Sequence, residues 1–244
     1  MKGLIISALK KFGYRLAKAP IMLNGLKVEH DFISKHNWIL KYNFKTIIDI
    51  GANRGQFASR FRVLFPESWI YSFEPIPEVY EQLCKRFELD TKFKAFNLGL
   101  GKQSGTIEFY QNEFTDSSSA LPMKSLHKVN FPKTYIEKQI QIKIDRLDEI
   151  MKSITTSNPL LVKIDVQGFE EMVILGGKDT LIRASIVIVE VSFYELYENQ
   201  VYFKTIYDHM DRLGFTYRGN YDQLISPIDG CVLQSDAIFI RENA

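Results

Sequence analysis

From residue 45 onward the chain keeps two rhythms. Runs that are apolar nearly throughout, TIIDIG (46–51), WIYSFEP (69–75), FKAFNLGLG (93–101), PLLVKIDV (159–166) and ASIVIVEVS (184–192), predict strands buried on both faces. Between them stand stretches of helical periodicity. QFASRFRVLF (56–65) is ended by Pro66, and PEVYEQLCKRFEL (77–89) carries Pro77 in its first turn, where a missing N–H costs nothing. FEEMVILGG (169–177) is stopped by two glycines, and QVYFKTIYDHMDRLG (200–214) ends in Gly214 as a C-terminal cap. GTIEFYQN (105–112) and KQIQIKIDRLDEI (138–150) alternate with period 2 and predict an antiparallel insertion with one wet face, joined by a polar stretch. FTYRG (215–219) and DAIFIR (236–241) predict two closing strands. The sum is an α/β domain: a seven-stranded, mostly parallel sheet with helices on both faces. Residues 4–40 read as helical, with breaks near Ala19-Pro20 and Asn24-Gly25. The expected organisation is an N-terminal helical extension, 1–44, and one domain, 45–244.

In such sheets ligands bind beyond the carboxyl ends of the strands. The residues found there are Asp49, Glu74, Asn97, Asp165 and Glu190. After Asp49 the turn GANRG places Gly51 and Gly55 around Asn53, which permits a tight turn and close approach of a ligand to the backbone. A phosphate-binding loop would avoid an acid at Asp49. An acid suits a cationic, hydroxyl-rich ligand, and S-adenosylmethionine is both. Glu74, ending the second strand, can accept hydrogen bonds from ribose hydroxyls. The G-x-x-x-G spacing lacks the G-x-G-x-x-G pyrophosphate pattern, which separates this reading from a dinucleotide site. The plainer alternative is an ordinary turn with an unrelated glutamate. Asp49, Gly51, Asn53, Gly55, Glu74 and Asn97 are the expected cofactor-side residues.

Lys163 and Asp165 lie two apart in an apolar run, on one side of the strand. Two charges in such a run either pair structurally or do chemistry. In the chemical reading Asp165 orients an acceptor hydroxyl and takes its proton, and Lys163 favours its carboxylate form. Glu190 reads either as a solvated strand end or as a contact to substrate or metal. The hydroxyl-rich loop TDSSSALPMKSLHK (115–128) reads either as solvated or as an acceptor cover in which Ser118 and Ser119 meet the substrate.

Composition narrows the classes. The 244 residues are 45% hydrophobic and 25% charged, ordinary values for a globular domain. A net charge of +2 argues against nucleic acid as a partner. Cys84 and Cys231 make neither a disulfide framework nor a metal cluster; they read as buried small hydrophobes in a reducing, cytoplasmic setting. No apolar run reaches membrane-spanning length. The start, MKGLIISALKKFGYRLAKAP, is interrupted by Lys10, Lys11 and Arg15 and reads as a basic amphipathic helix, either a lid or a weak peripheral membrane contact.

At DIGANRGQF (49–57), FEP (73–75), NLGLG (97–101), SSS (117–119), RLDEI (146–150), KIDVQGFEEMVILGG (163–177) and EVSFYELY (190–197) the chain resembles the FkbM family of S-adenosylmethionine-dependent O-methyltransferases. It departs where the family often has threonine in place of Arg146 and glutamate in place of Gln167. The resemblance implies a Rossmann-like class I methyltransferase fold. It also implies methyl transfer to a hydroxyl of a glycan or other small-molecule acceptor of sugar or polyketide type. A metal-assisted version would use Asp165 and Glu190 as oxygen ligands for a divalent cation such as Mg²⁺ or Ca²⁺. A nucleic-acid methyltransferase would need an Asn/Asp-Pro-Pro-aromatic loop after the fourth strand, and KIDVQGF is not one. A binding module that kept the fold would have no need of Asp49, Glu74 and Asp165 together.

Overall fold

The computed structural model describes residues 21–23, 26–135 and 137–241. The expected basic helix at the start of the chain lies outside them. The chain enters through a short antiparallel pair, β1 (Ile21–Leu23) and β2 (Leu26–Val28), in register Ile21↔Val28. It continues through α1 (His30–His36) and a 3₁₀ turn, Asn37–Tyr42. The helical reading of 4–40, with its break near Asn24-Gly25, is thus corrected at 21–23 and 26–28, which are strands. Asn-Gly between two apolar residues is a hairpin signal, and pairing won over periodicity there. Ile39 and Phe44 are buried in the core, so the residues just before the main sheet pack as part of it.

The main sheet has seven strands in the order β11-β12-β10-β9-β3-β4-β5. These are β3 (Thr46–Ile50), β4 (Trp69–Phe73), β5 (Phe93–Phe96), β9 (Leu160–Ile164), β10 (Ile186–Ser192), β11 (Thr216–Ile225) and β12 (Val232–Ile240). β12 runs antiparallel to both neighbours; β3, β4, β5, β9 and β10 are parallel. The predicted α/β architecture is what the chain adopts. Both closing strands are longer than their apolar segments suggest: β11 is the edge, with alternate positions facing solvent, and β12 lies inside the sheet between β11 and β10.

Successive residues serve two cores. Ile48, Val162, Val187 and Val189 pack on the face covered by α6 (Glu170–Gly176) and α8 (Phe203–Arg212). Ile47, Leu161, Ile186 and Ile188 pack on the face covered by α2 (Gln56–Leu64) and α3 (Pro77–Arg86). Each such side chain contributes about 1.5–3 kcal/mol by leaving water. The same period of 2 puts Asp49 with Ile47, Lys163 with Leu161, and Glu190 with Ile188. The charged strand ends therefore share the α2 side of the sheet.

The predicted strand 93–101 divides into β5 and β6 (Gly99–Leu100), which belong to different sheets. β6 pairs in parallel with β8 (Glu137–Asp145), and β8 pairs with β7 (Gly105–Asn112) as the expected antiparallel insertion. The strand-like reading of 138–150 holds only to Asp145. Leu147–Met151 is a helix, α5, whose Asp148 accepts the N–H groups of Asp179 and Thr180. That carboxylate caps α7 (Lys178–Leu181), which gives the RLDEI segment a structural task. Within the polar stretch 113–136 a short helix forms, α4 (Ser125–Asn130). Cys84 is half-buried and Cys231 is exposed in the turn before β12, so the buried reading of the cysteines fails for Cys231.

Candidate functional site

Strand order reverses between β3 and β9: the chain builds outward to β4 and β5 on one side, and to β10 on the other. The crevice at such a reversal is where open α/β sheets bind ligands. A cavity of about 740 Å³ lies there, on the upper side of the range that holds a drug-sized ligand. It is lined by Asp49, Gly51, Asn53 and Glu74 on one wall, and by Lys163, Asp165, Gln167, Glu190 and Asp236 on the other. Residues of the cover, including Ser118, His127 and Asn130, close a third side.

The turn after β3 is shaped by its neighbours. Gly51 has φ +77°, and a Cβ there would stand 1.7 Å from the carbonyl oxygen of Asp165. Glycine is needed because the two loops at the strand reversal touch at that point. Gly55 has φ +80° and starts α2, with Phe87 and Leu83 packed where its side chain would be. It does not line the cavity; it sets the angle of the helix that does.

Asp49 is buried, and its Oδ2 has no hydrogen-bond partner. Burial pushes its pKa up to about 7, against a smaller downward pull from Lys163. Glu74 is also raised to about 7, again chiefly by burial. Its Oε2 accepts the Asn53 N–H at 2.9 Å and its Oε1 accepts the Ile76 N–H at 2.8 Å, so Glu74 binds the GANRG turn to the end of β4. Each oxygen retains a further lone pair toward the cavity. Asn97 is exposed and outside the cavity lining; its amide donates to the carbonyl oxygens of Glu74 and Pro75 and so braces that loop from behind.

On the opposite wall the charges are cross-linked. Lys163 donates to Asp236 at 2.7 Å and to Asp165 at 3.1 Å. The pairing read from sequence is present, but its shorter arm goes to Asp236, a residue 73 positions away on β12. Burial disfavours the ammonium, and the carboxylates of Asp165, Asp236 and Glu190 outweigh it, so the Lys163 pKa moves upward. Gln167, at φ +54°, donates from Nε2 to Asp165 Oδ1 at 2.9 Å and to Glu190 Oε2 at 2.8 Å. The two acids raised as divalent-metal ligands are therefore bridged by an amide. Among the described residues no group of three or more His, Cys, Asp or Glu side chains is arranged to hold a metal ion. Gln234 also donates to Glu190 Oε2, and burial with the nearby Asp165 and Glu170 carboxylates drives the Glu190 pKa well above the usual range. Both amide donors converge on Oε2, which ties the strand end of β10 to the Gln167 turn and to β12.

Ser118 lines the cavity, and its Oγ accepts the Asn112 N–H. Ser119 does not: its hydroxyl is fully buried, donating to the Gln167 carbonyl and accepting the Leu121 N–H. It holds the strained Gln167 turn in place. Glu170, also raised to about 7 by burial, accepts the Val166 and Gly168 N–H groups and fastens the same turn from the helix side. Sequence reading overlooked Asp236, Gln234, Tyr197, His127 and Asn130. Three left a trace: His127 in the cover loop 115–128, Tyr197 at the end of EVSFYELY, and Asp236 as an acid opening the apolar run DAIFIR.

The orphan Asp49 Oδ2 fits the amino group of a cofactor's methionine part, and the free lone pairs of Glu74 fit ribose hydroxyls. Comparison with known proteins gives the family. The chain is 28% identical to the 2-O-methyltransferase NoeI of Sinorhizobium fredii over 85% of its own length and 86% of that protein's. It is 28% identical to the hexuronic acid methyltransferase AglP of Haloferax volcanii over 59% of its length and 54% of that protein's. A crystal structure of the methyltransferase FkbM from Methylobacillus flagellatus superposes with a TM-score of 0.51 at 12% identity, covering 81% of this chain and 44% of that one, a likeness of fold. The family description "Methyltransferase FkbM domain" matches residues 49–217, which include Asp49, Glu74, Asp165 and Glu190. The chain belongs to the FkbM methyltransferase family and is an S-adenosylmethionine-dependent methyltransferase.

Proposed function

We propose that this enzyme methylates a hydroxyl group of a sugar-type acceptor and that Asp165 takes the hydroxyl proton. The observation that carries the reading is the placement of Asp165. Its carboxylate follows the last residue of β9 and lines the same cavity as Asp49 and Glu74, yet belongs to the opposite wall. Asp49 would hold the methionine amino group, and Glu74 the ribose. When bound, S-adenosylmethionine supplies an electrophilic methyl group on its sulfonium.

The acceptor hydroxyl must lose its proton as the new carbon–oxygen bond forms, and a positioned carboxylate contributes about 10²–10⁴ in rate to such a step. Lys163 and Gln167 each occupy one oxygen of Asp165 with a hydrogen bond, which fixes the carboxylate plane and leaves a lone pair for the hydroxyl. Glu190, held at Oε2 by the amides of Gln167 and Gln234, lines the same wall and would meet a second hydroxyl of the acceptor. Two relatives point to the substrate class: one is a 2-O-methyltransferase and another acts on hexuronic acid, a sugar.

The test is turnover, followed as S-adenosylhomocysteine formation with methyl glycosides and uronic acids as probes. Asp165→Asn keeps size and shape but loses the basic oxygen. Turnover should fall about 10²–10⁴ while S-adenosylhomocysteine still binds with wild-type affinity. Wild-type turnover in Asp165→Asn would overturn the assignment of the base.

A further inference from the structure

The short helix α4 carries two hydrogen-bond acceptors without a partner among the described residues. His127 Nδ1 lies 3.1 Å from the hydroxyl oxygen of Thr134. That hydroxyl has one proton, and at 2.7 Å from it stands the carbonyl oxygen of Phe131, which can only accept. The His127 hydrogen must therefore sit on Nδ1 and point to Thr134, which leaves Nε2 as a bare acceptor. The ring is buried, and burial lowers its pKa to about 4, so it stays neutral at physiological pH.

Asn130 repeats the pattern one helical turn later. Its amide nitrogen donates to the Leu126 carbonyl at 2.9 Å, which fixes the orientation of the amide. Its Oδ1 is then a buried acceptor without a partner, on a residue only 6% exposed. Positions i and i+3 share a helix face, and both residues line the cavity. Buried acceptors are nearly always paired in folded proteins, so a bare one on a residue that lines a cavity needs a reason outside the fold. The pair also lies close to the chemistry. The His127 ring is 5.4 Å from that of Tyr197, whose hydroxyl is 2.9 Å from Gln167 Oε1, and Gln167 holds Asp165 and Glu190.

We propose that His127 Nε2 and Asn130 Oδ1 form a hydroxyl clamp that accepts hydrogen bonds from two O–H groups of a polyhydroxylated acceptor, so that the enzyme selects substrates by their donor hydrogens. The proposal rests on the sugar-acceptor reading and deepens it. Two acceptors suit hydroxyl or amino donors; they repel carboxylate and ether oxygens. The clamp thus binds hydroxyls that stay unmethylated and leaves the reacting one to Asp165.

The experiment uses the full chain saturated with S-adenosylhomocysteine. The probes are the methyl glycosides of glucose, mannose and glucuronic acid, and their deoxyfluoro analogues, in which C–F replaces O–H and cannot donate. Binding is followed by saturation-transfer NMR. Fluorine at one or two ring positions should weaken binding to wild type about tenfold. His127→Phe and Asn130→Leu should each weaken the parent glycoside by a similar factor and abolish one of the fluorine penalties. His127→Gln, which restores a carbonyl acceptor, should recover part of the binding and serves if the phenylalanine variant does not fold. Unaltered fluorine penalties in the variants would overturn the clamp, as would failure of every glycoside to bind a chain that binds S-adenosylhomocysteine. Failure of S-adenosylhomocysteine itself to bind would instead overturn the cofactor assignment beneath it.

Discussion

The two walls of the cavity are built on opposite plans. The wall of Asp49 and Glu74 comes from two neighbouring parallel strands and the turns that follow them, all within residues 49–76. Burial raises both of its carboxyl groups to about 7, and for Asp49 the ammonium of Lys163 on the neighbouring strand offsets that only in part. The wall of Lys163, Asp165, Gln167, Glu190, Gln234 and Asp236 draws on β9, β10 and β12 and is joined by five hydrogen bonds between side chains. The first wall is held ready for a cation and a diol and has unmet capacity. The second is internally satisfied and holds one carboxylate in a fixed plane. Ligand affinity should therefore live on the first wall and rate on the second, a separation that the variants below are designed to break.

The largest effect is expected where the walls touch. Gly51→Ala would place a methyl group 1.7 Å from the Asp165 carbonyl oxygen, on a residue whose φ of +77° already disfavours a side chain. Neither backbone can retreat without shifting its strand. The cost should exceed about 4 kcal/mol, the range of severe core lesions, read as a lowered denaturant midpoint. A variant of near wild-type stability would mean that the two loops are far more pliable than their contact indicates.

Next in size is Lys163→Met. It removes the cation from between Asp165 and Asp236 and leaves two carboxylates in a largely buried setting. Breaking a buried ion pair costs about 3–5 kcal/mol, and here one partner lost strands two. Chemical denaturation should show the loss, with a smaller drop in cofactor affinity in the folded fraction, because Lys163 also helps keep Asp49 ionised. If Lys163→Met weakened S-adenosylhomocysteine binding more than it weakened the fold, the two-wall division would be wrong.

The same contrast governs how much could be read from the sequence. The cofactor wall is contiguous in the chain, so strand, acid, turn and helix follow one another in DIGANRGQF and FEP and declare their geometry locally. Asp165 was legible for the same reason, since it ends an apolar run. What pairs with Lys163 was not. Asp236 reaches it only because β12 inserts antiparallel beside β10, and no local pattern encodes that neighbour. Ser119 had the right residue type in the right loop, yet its hydroxyl is consumed by Gln167; hydroxyl content says nothing about which side of a loop a serine faces. The antiparallel pair of 21–23 with 26–28 was hidden under a helical period, although Asn24-Gly25 marked a break in the sequence. His127 and Asn130 could be recognised only after the hydrogen bonds of their neighbours had been counted.

A smaller effect is expected at Glu74. Both of its oxygens hold backbone N–H groups, so Glu74→Gln sets an amide –NH₂ against one of them and removes a charged acceptor from the ribose position. Cofactor affinity should fall by about 1–3 kcal/mol in calorimetry. The acceptor wall should be untouched, so turnover at saturating S-adenosylmethionine should change little. A large drop in turnover at saturation would tie Glu74 to the chemistry and erase the contrast.

The smallest expected effect is also the most specific to the cofactor wall, and it is a dependence on pH. Asp49 has an ordinary value of 3.8 when exposed and about 7 in the fold. Below 3.8 both folded and unfolded chains carry the proton, and the group contributes no penalty. Between 3.8 and about 7 the unfolded chain ionises while the folded one does not, so this group lowers stability as pH rises and its cost levels off above 7. Binding runs the other way. A cationic amino group seated on Asp49 favours the carboxylate, so binding below pH 7 must expel a proton. Affinity for S-adenosylhomocysteine should rise with pH by at most about tenfold per unit until the group is ionised, then flatten. Glu74 titrates in the same range but faces neutral hydroxyls, so it contributes a weaker slope. Calorimetry in two buffers of different ionisation enthalpy, at a pH below and a pH above 7, counts the released protons directly. Asp49→Asn should bind more weakly at neutral pH and release fewer protons. Proton release equal to wild type in that variant would remove Asp49 from the amino-group site and leave its buried, unpartnered oxygen to another ligand atom.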